Sequence, residues 1–386
     1  MIQLNNKKIT VMGLGLHGGG LAAARYCCEQ GAIVTVTDIQ SSEKLHSSVE
    51  ALREYPVKLV LGEHNEEDFI GADIVIKNPA VPRDNKYLKL AKSIETDISI
   101  FLQRFTGTVI CVTGSKGKST TASAIHHGLS QQGGSWLGGN ITTSPLSFIE
   151  NIKDGEKVVL ELSSFQLGDL TLTKSWREGW RISPEIAVLT NIMEDHQDYY
   201  GNMQDYIADK QILFKYQSYQ QSCILPGEKG VYNEFFKNSK AKKILLDSFE
   251  EYLAKNLLPA NPIYKGPRQN LAAAATALFA IGINPESVPN LLTTFSGIPH
   301  RMELIGEKNG IQFINDTAAT IPKAVETSIM GMDGNIILIA GGVDKKLDLS
   351  PFIMVGKKCE SVILLDGSAG QSLVKLFKKH SIKHGG

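Results

Sequence analysis

Short β-branched apolar runs recur along the chain, at residues 9–12, 33–37, 58–61, 74–76, 109–112, 158–162, 186–189, 336–340 and 362–365. Most give way to glycine, asparagine or serine and then to a helical pattern. Strands that alternate with helices predict parallel α/β sheets, whose ligands gather at the carboxyl ends of the strands. The polar signals of this chain lie at those ends. Two boundaries are expected, one within residues 94–105 and one within the Pro/Gly-punctuated stretch 296–300. They divide the chain into domains 1–93, 94–298 and 299–386, with no internal repeat and no low-complexity tract.

Composition narrows the class. The chain has 386 residues, 42% hydrophobic and 21% charged, which is enough for sizeable cores and too long for one ordinary domain. Forty basic residues balance forty acidic ones, so no basic field argues for nucleic acid or for an anionic membrane. An anionic ligand must be held by local sites. Five cysteines without metal-type spacing fit reduced thiols rather than disulfides or a zinc site. No apolar stretch approaches the ~20 residues of a membrane span, and the N-terminus lacks a long apolar leader. A soluble, cytoplasmic, monomeric protein is expected.

Two glycine-rich turns carry the chemistry. The first run is followed by GLGLHG (Gly13, Gly15, Leu16, His17, Gly18), a helical stretch, a second run and then Asp38. This is the G-x-G-x-x-G pattern with an acidic residue at the end of the second strand, and it reads either as a nucleotide-diphosphate site or as a tight strand-to-helix turn. The second turn, Gly114-Ser115-Lys116-Gly117-Lys118-Ser119-Thr120, is two residues shorter than the usual phosphate loop, which would require glycine where Val112 stands. Backbone amides around glycines, a lysine and a helix N-terminus make a polyphosphate cradle.

Polar clusters then interrupt apolar runs in LELSSFQL (Glu161, Ser163), LTNIMEDHQDYYG (Asn191, Asp195, His196) and DYIADKQILF (Lys210). A glutamate ending a strand beside a phosphate loop supplies a hard oxygen ligand for the Mg²⁺ that accompanies ATP. By itself His196 is either a structural or a metal-linked histidine, and Lys210 either a solvated helix residue or a functional one. Arg301, in GIPHRMELI, either clamps a phosphoryl group or forms a surface ion pair, and Asp316 lies in INDTAATIP.

In this order, TGSKGKST, ELSSFQL, TNI-EDH-DYYG, the downstream lysine, GIPHR-E and NDT-AT resemble the Mur ligase family over residues 8–366. The resemblance implies three α/β domains: a Rossmann-like N-terminal domain, a central P-loop ATPase-type domain and a Rossmann-like C-terminal domain, here truncated. The E-x-S-S-F-Q-L form is most similar to the member that joins D-glutamate to UDP-N-acetylmuramoyl-L-alanine in peptidoglycan synthesis. By that resemblance Gly114–Thr120, Asn270, Arg301 and Asp316 bind ATP, with Lys118 on the β and γ phosphates. Ser119, Glu161 and His196 serve Mg²⁺, Lys210 acts as a carbamate, and Lys345 holds the reacting carboxylate or amino acid. Gly13, Gly15, Leu16, His17, Gly18, Asp38, Asn140 and Ser163 serve the UDP substrate.

Three departures accompany the resemblance. The adenine-site H-N-x-x-N appears as KGPRQN, with Asn270 matching the second asparagine; Ala318 stands where the family frequently has lysine; and the family's C-terminal SPA-x-AS stretch is absent. They keep open a related ligase of other amino-acid specificity and a catalytically weak nucleotide-binding protein. The first glycine turn alone keeps open an NAD-dependent oxidoreductase.

Overall fold

Five short strands rich in β-branched residues build the first sheet: β1 (Lys8–Met12), β2 (Ile33–Asp38), β3 (Val57–Leu61), β4 (Ile74–Lys77) and β5 (Ile94–Glu95). In the computed structural model they pair in the order β3-β2-β1-β4-β5, all parallel. The structure describes residues 2–15, 18–141, 143–246, 264–344 and 346–385, the side chains of 197 and 198 excepted. The strand order reverses between β1 and its neighbours β2 and β4, the switch point at which α/β sheets bind ligands. The GLGLHG turn leaves β1 there. The helix after it, Gly19–Glu29, presses closely on β1, because a side chain at Gly20 would strike the Gly13 carbonyl oxygen.

The second sheet contains β6 (Val109–Thr113), β7 (Ser135–Gly139), β8 (Lys157–Glu161), β9 (Ile186–Leu189), β10 (Ser222–Leu225) and β11 (Lys242–Leu245). It runs β11-β10-β9-β6-β8-β7, again parallel throughout. β6 is central and buried along its whole length, as a strand covered by helices on both faces must be. Its register, Val112 opposite Glu161 and Thr113 opposite Leu189, brings the ends of β6, β8 and β9 level. One apolar core runs from Val11 and Val36 through Ile98, Ile100 and Phe101 to Cys111, Leu160 and Leu189, so the two sheets share a single interior.

The described chain forms two compact units, Met1–Ala260 with Gln269–Thr293, and Asn261–Arg268 with Thr294–Gly386. In the second unit, β14 (Ile337–Ala340), β15 (Ser361–Leu364) and β16 (His384–Gly385) form a parallel sheet over a core of Val355, Val362, Leu364, Leu373 and Phe377. The same unit holds an antiparallel hairpin, β12 (Glu303–Lys308) and β13 (Ile311–Asn315). A reading of parallel units alone misses this hairpin. Its turn, Asn309-Gly310, has both residues at positive φ, the asparagine–glycine signature of a tight hairpin. The apolar runs also pass over β5, β7, β10 and β11; in β7, SWLGG offers few apolar positions.

Candidate active site at the strand ends of the second sheet

β6 ends at Thr113, and the chain turns through Gly114 (φ 145°) and Gly117 (φ 82°) into the helix Lys118–Ser130. Both glycines are required by space as well as by φ. A Cβ at Gly114 would collide with Thr190 Oγ1, and one at Gly117 with Asn270 Oδ1. No side chain caps this helix, and the first-turn amides of any helix lack acceptors within it, so the turn presents donors to an anion.

The loop is held from β9. Asn191 accepts the Lys116 amide at its Oδ1 (2.9 Å) and donates from Nδ2 to the Lys116 carbonyl (3.0 Å). Thr190 Oγ1 donates to the same carbonyl at 2.6 Å, and the Ser115 amide donates to the Asn191 carbonyl at 2.9 Å. In the sequence Asn191 is one member of a polar cluster, and its two-point grip on a loop 75 residues away leaves no local trace. Lys118 folds back, its Nζ donating to the Ser115 carbonyl at 2.9 Å. Ser119 and Thr120 follow in the first turn.

Glu161 ends β8 and is 2% exposed. One carboxylate oxygen accepts from Asn140 Nδ2 at 3.1 Å, and the other is buried without a hydrogen-bond partner. An uncompensated buried carboxylate oxygen carries a desolvation cost of the order of 1–3 kcal/mol and is satisfied by a cation. Among the described residues no cluster of three or more His, Cys, Asp or Glu side chains suits a metal.

Lys210, in the helix Met203–Lys215, is 1% exposed. Its Nζ donates to the Gly114 carbonyl at 2.9 Å and lies 4.5 Å from the centre of the Tyr206 ring. Burial, seconded by the positive charge of Lys118, lowers its pKa from 10.5 to about 7 against the opposing pull of Asp195, Asp209 and Glu161. The solvated-residue alternative for Lys210 is thereby removed. His196 has a left-handed backbone (φ 54°) and packs edge-on against Phe165 at 4.9 Å. Burial and nearby lysines lower its pKa, while Asp195 raises it.

At the first sheet, Gly13, Gly15 and Gly18 all have positive φ, as the fingerprint demands. Asp38 is 6% exposed, and its carboxylate receives the amides of Gly15 (3.1 Å) and Gln40 (2.9 Å), so it braces the turn. Asn78, not singled out in the sequence, donates to the Gly13 carbonyl at 3.3 Å. Ser163 caps the helix Ser164–Asp169 in a capping box with Gln166. Leu16, His17 and Lys345 lie outside the described residues. On the second unit Arg301 is exposed, and Asp316 Oδ1 accepts the Met302 amide at 3.0 Å.

A phosphate loop on a parallel sheet, with an unsatisfied carboxylate and a buried low-pKa lysine beside it, defines a phosphoryl-handling α/β protein. Family profiles agree: the Mur ligase middle domain matches residues 112–263, and the Mur ligase MurD-like N-terminal domain matches residues 7–100. The UDP-N-acetylmuramoylalanine–D-glutamate ligase of Borreliella burgdorferi is 36% identical, over 99% of this chain and 87% of its own length. That of Treponema pallidum is 33% identical, over 97% and 87%. The chain belongs to the UDP-N-acetylmuramoylalanine–D-glutamate ligase family. Among solved structures, the UDP-N-acetylmuramate–alanine ligase MurC of Thermotoga maritima aligns with a TM-score of 0.59 at 18% identity, covering 98% of this chain and 90% of that one. MurF of the same organism, in complex with ADP, aligns at 0.54 and 17%, covering 94% and 82%. At such identities these two likenesses speak for the fold.

Proposed function

We propose that this chain uses ATP to join D-glutamate to UDP-N-acetylmuramoyl-L-alanine, releasing ADP and phosphate, in the cytoplasmic synthesis of peptidoglycan precursors. The observation that carries the reading is the clamped loop 114–117 with the unpartnered Glu161 oxygen and the buried Lys210 against it. A carboxylate is a poor acyl donor. Transfer of the γ-phosphoryl group to the alanyl carboxylate gives an acyl phosphate; the amine of D-glutamate attacks its carbonyl carbon, and phosphate leaves with the C–O bond. The protein's task in the phosphoryl step is positioning and charge neutralisation.

In this reading the loop Gly114–Thr120 binds ATP, the amides at the helix start, Gly117–Thr120, cradling the phosphates while those of Ser115 and Lys116 stay with Asn191, and Lys118 swings from the Ser115 carbonyl to the β and γ phosphates. Asn140 orients Glu161. Ser119, Glu161 and His196 would hold Mg²⁺, which supplies charge neutralisation to the transferring group. Lys210, partly neutral near pH 7, gives up its ammonium proton and adds as the neutral amine to dissolved CO₂; an N–C bond forms, a second proton leaves the nitrogen, and the side chain becomes a carbamate anion facing the site. Asn270 borders the loop at Gly117 on the nucleotide side, and Gly13, Gly15 and Gly18 take the UDP moiety, with Asp38 shaping their turn. Residues 1–93, 94–298 and 299–386 act as the UDP-substrate, ATP and C-terminal domains of a monomer. Lys345 serves the reacting acid or amino acid.

The test is phosphate release from ATP measured with and without the UDP-sugar and across a panel of amino acids. Release should require the UDP-sugar together with D-glutamate, and Lys118→Ala should abolish it without loss of the fold. Release driven by another amino acid would reassign specificity within the family, and near-normal turnover in the Lys118 variant would refute the site.

A further inference from the structure

Four charged side chains that the reaction does not use close into one group behind the Lys210 helix. Lys77, the last residue of β4, donates to Asp169 Oδ2 at 2.5 Å, and both side chains are 1% exposed. Arg83 donates from Nε to the other oxygen of Asp169 at 3.0 Å. Its two terminal nitrogens grip both oxygens of Asp209, at 3.2 and 2.5 Å, and one of them also reaches the Phe165 carbonyl at 3.4 Å. Asp209 further accepts the Tyr200 hydroxyl at 2.8 Å. Two cations face two carboxylates, so the group is neutral, and Asp209 immediately precedes Lys210.

The segment that supplies Lys77 and Arg83 also touches the other site. Asn78 lies between them, donates to the Gly13 carbonyl, and would be struck by a Cβ on Gly13 at 2.9 Å. One short stretch thus walls the glycine turn at one end and grips the Lys210 helix at the other. The sequence makes room for that grip. Gly168, inside the helix Ser164–Asp169, carries no side chain where a methyl group would collide with Arg83 Nη2 and Asp209 Oδ1. Its φ is not in the left-handed range, so space and not backbone freedom explains the glycine.

We infer that Arg83 is a positioning residue for Lys210: seated between Asp169 and Asp209, its guanidinium fixes the helix that presents the Lys210 amine to the phosphate loop. A buried ion pair contributes little net stability, because desolvation opposes the attraction, but it fixes register. Only arginine's planar fork meets two carboxylate oxygens and a third acceptor at once; lysine meets them as a point charge. The inference rests on the role given to Lys210 above.

Two variants keep every charge in place. Gly168→Ala pushes on the guanidinium and installs a better helix former, and Arg83→Lys keeps the cation but loses the fork. In the full chain each should lower kcat about tenfold or more, with the KM for ATP within about threefold of the parent, as expected when a reacting group is displaced rather than a binding contact removed. Each should also weaken the carbamate signal that ¹³C-bicarbonate produces on Lys210 in nuclear magnetic resonance. In the Gly168→Ala background, Arg83→Lys should raise kcat, because the slimmer head fits beside the new methyl group. Parent-like kcat and carbamate signal in both single variants would overturn the inference, as would strictly additive losses in the double variant. Unfolding of both would assign the group to stability alone and overturn it too. Lys210→Ala separates the two readings: an inactive Lys210→Ala beside normal Arg83 and Gly168 variants sinks only the positioning role, whereas an active Lys210→Ala sinks the assignment of Lys210 itself.

Discussion

Replacing Lys210 by methionine should make the protein inactive and, at neutral pH, more stable. The lysine's pKa falls from 10.5 to about 7, chiefly because burial penalises the ammonium. At about 1.4 kcal/mol for each tenfold change in proton affinity, that fall corresponds to a ceiling of roughly 5 kcal/mol that folding gives up while the amine must stay charged. Methionine fills much of the same volume without the charge, but it forfeits the hydrogen bond to the Gly114 carbonyl, a loss of the order of 1–3 kcal/mol. A net gain of at most about 2–4 kcal/mol for Lys210→Met near pH 6–7 remains.

The sign of the pH dependence follows from proton counting. Between about 7 and 10.5 the unfolded lysine binds a proton that the folded one has released, so the stability of the parent rises with pH across that window. The advantage of the variant should therefore be largest below pH 7 and shrink towards pH 10. The neighbouring charges Lys118, Asp195, Asp209 and Glu161 are common to both proteins, and the difference between parent and variant isolates Lys210. Urea unfolding of the nucleotide-free protein in CO₂-depleted buffer at pH 6, 7.5 and 9.5, followed by far-ultraviolet circular dichroism, measures it. A variant that is less stable than the parent at pH 6, or whose advantage stays constant with pH, would show that Lys210 is not held as a strained buried ammonium.

Glu161→Gln should stabilise the nucleotide-free chain by about 1–2 kcal/mol, since it removes a buried charge with one unpartnered oxygen; the same change should raise the Mg²⁺ concentration for half-maximal turnover at least about tenfold, and an unaltered Mg²⁺ titration would return Glu161 to a structural role. Gly117→Ala should cost about 1–2 kcal/mol for its left-handed backbone alone and weaken ATP binding by displacing Asn270. Thermal denaturation and ATP calorimetry that match the parent would refute the close fit of loop and asparagine.

What the sequence shows of the site is what is local in the chain. The two glycine turns announce their backbone needs in a few adjacent residues, and Gly114, Gly117, Gly13, Gly15 and Gly18 all take the positive φ that the patterns require. Glu161 and Lys210 stand out as polar residues set in apolar runs, and both are buried. A fingerprint tells where an acid stands and not what it bonds. Asp38 occupies the expected strand end, yet its carboxylate is committed to the amides of Gly15 and Gln40. Likewise Ser163 carries a polar side chain at the right place, and its hydroxyl goes to a helix cap.

The parts that were not legible are those joined across the chain. Arg83 meets partners 86 and 126 residues away, and Lys77 meets one 92 residues away, so no window of sequence contains the group. Arg83 alone reads as one more surface charge, and Asp209 as a polar neighbour of Lys210. Gly168 carries the one local trace, a glycine in a helix with no conformational need for it. A glycine of that kind costs about 1 kcal/mol of helix propensity relative to alanine, and that cost is tolerated where something must pass close to the backbone. Here the guanidinium passes, and it ties the helix bearing Lys210 to the strand end that walls the glycine turn. The shared core and this ionic bridge together join the first two sheets within one compact unit, so the bond that steadies Lys210 is anchored in the sheet that carries the other glycine turn.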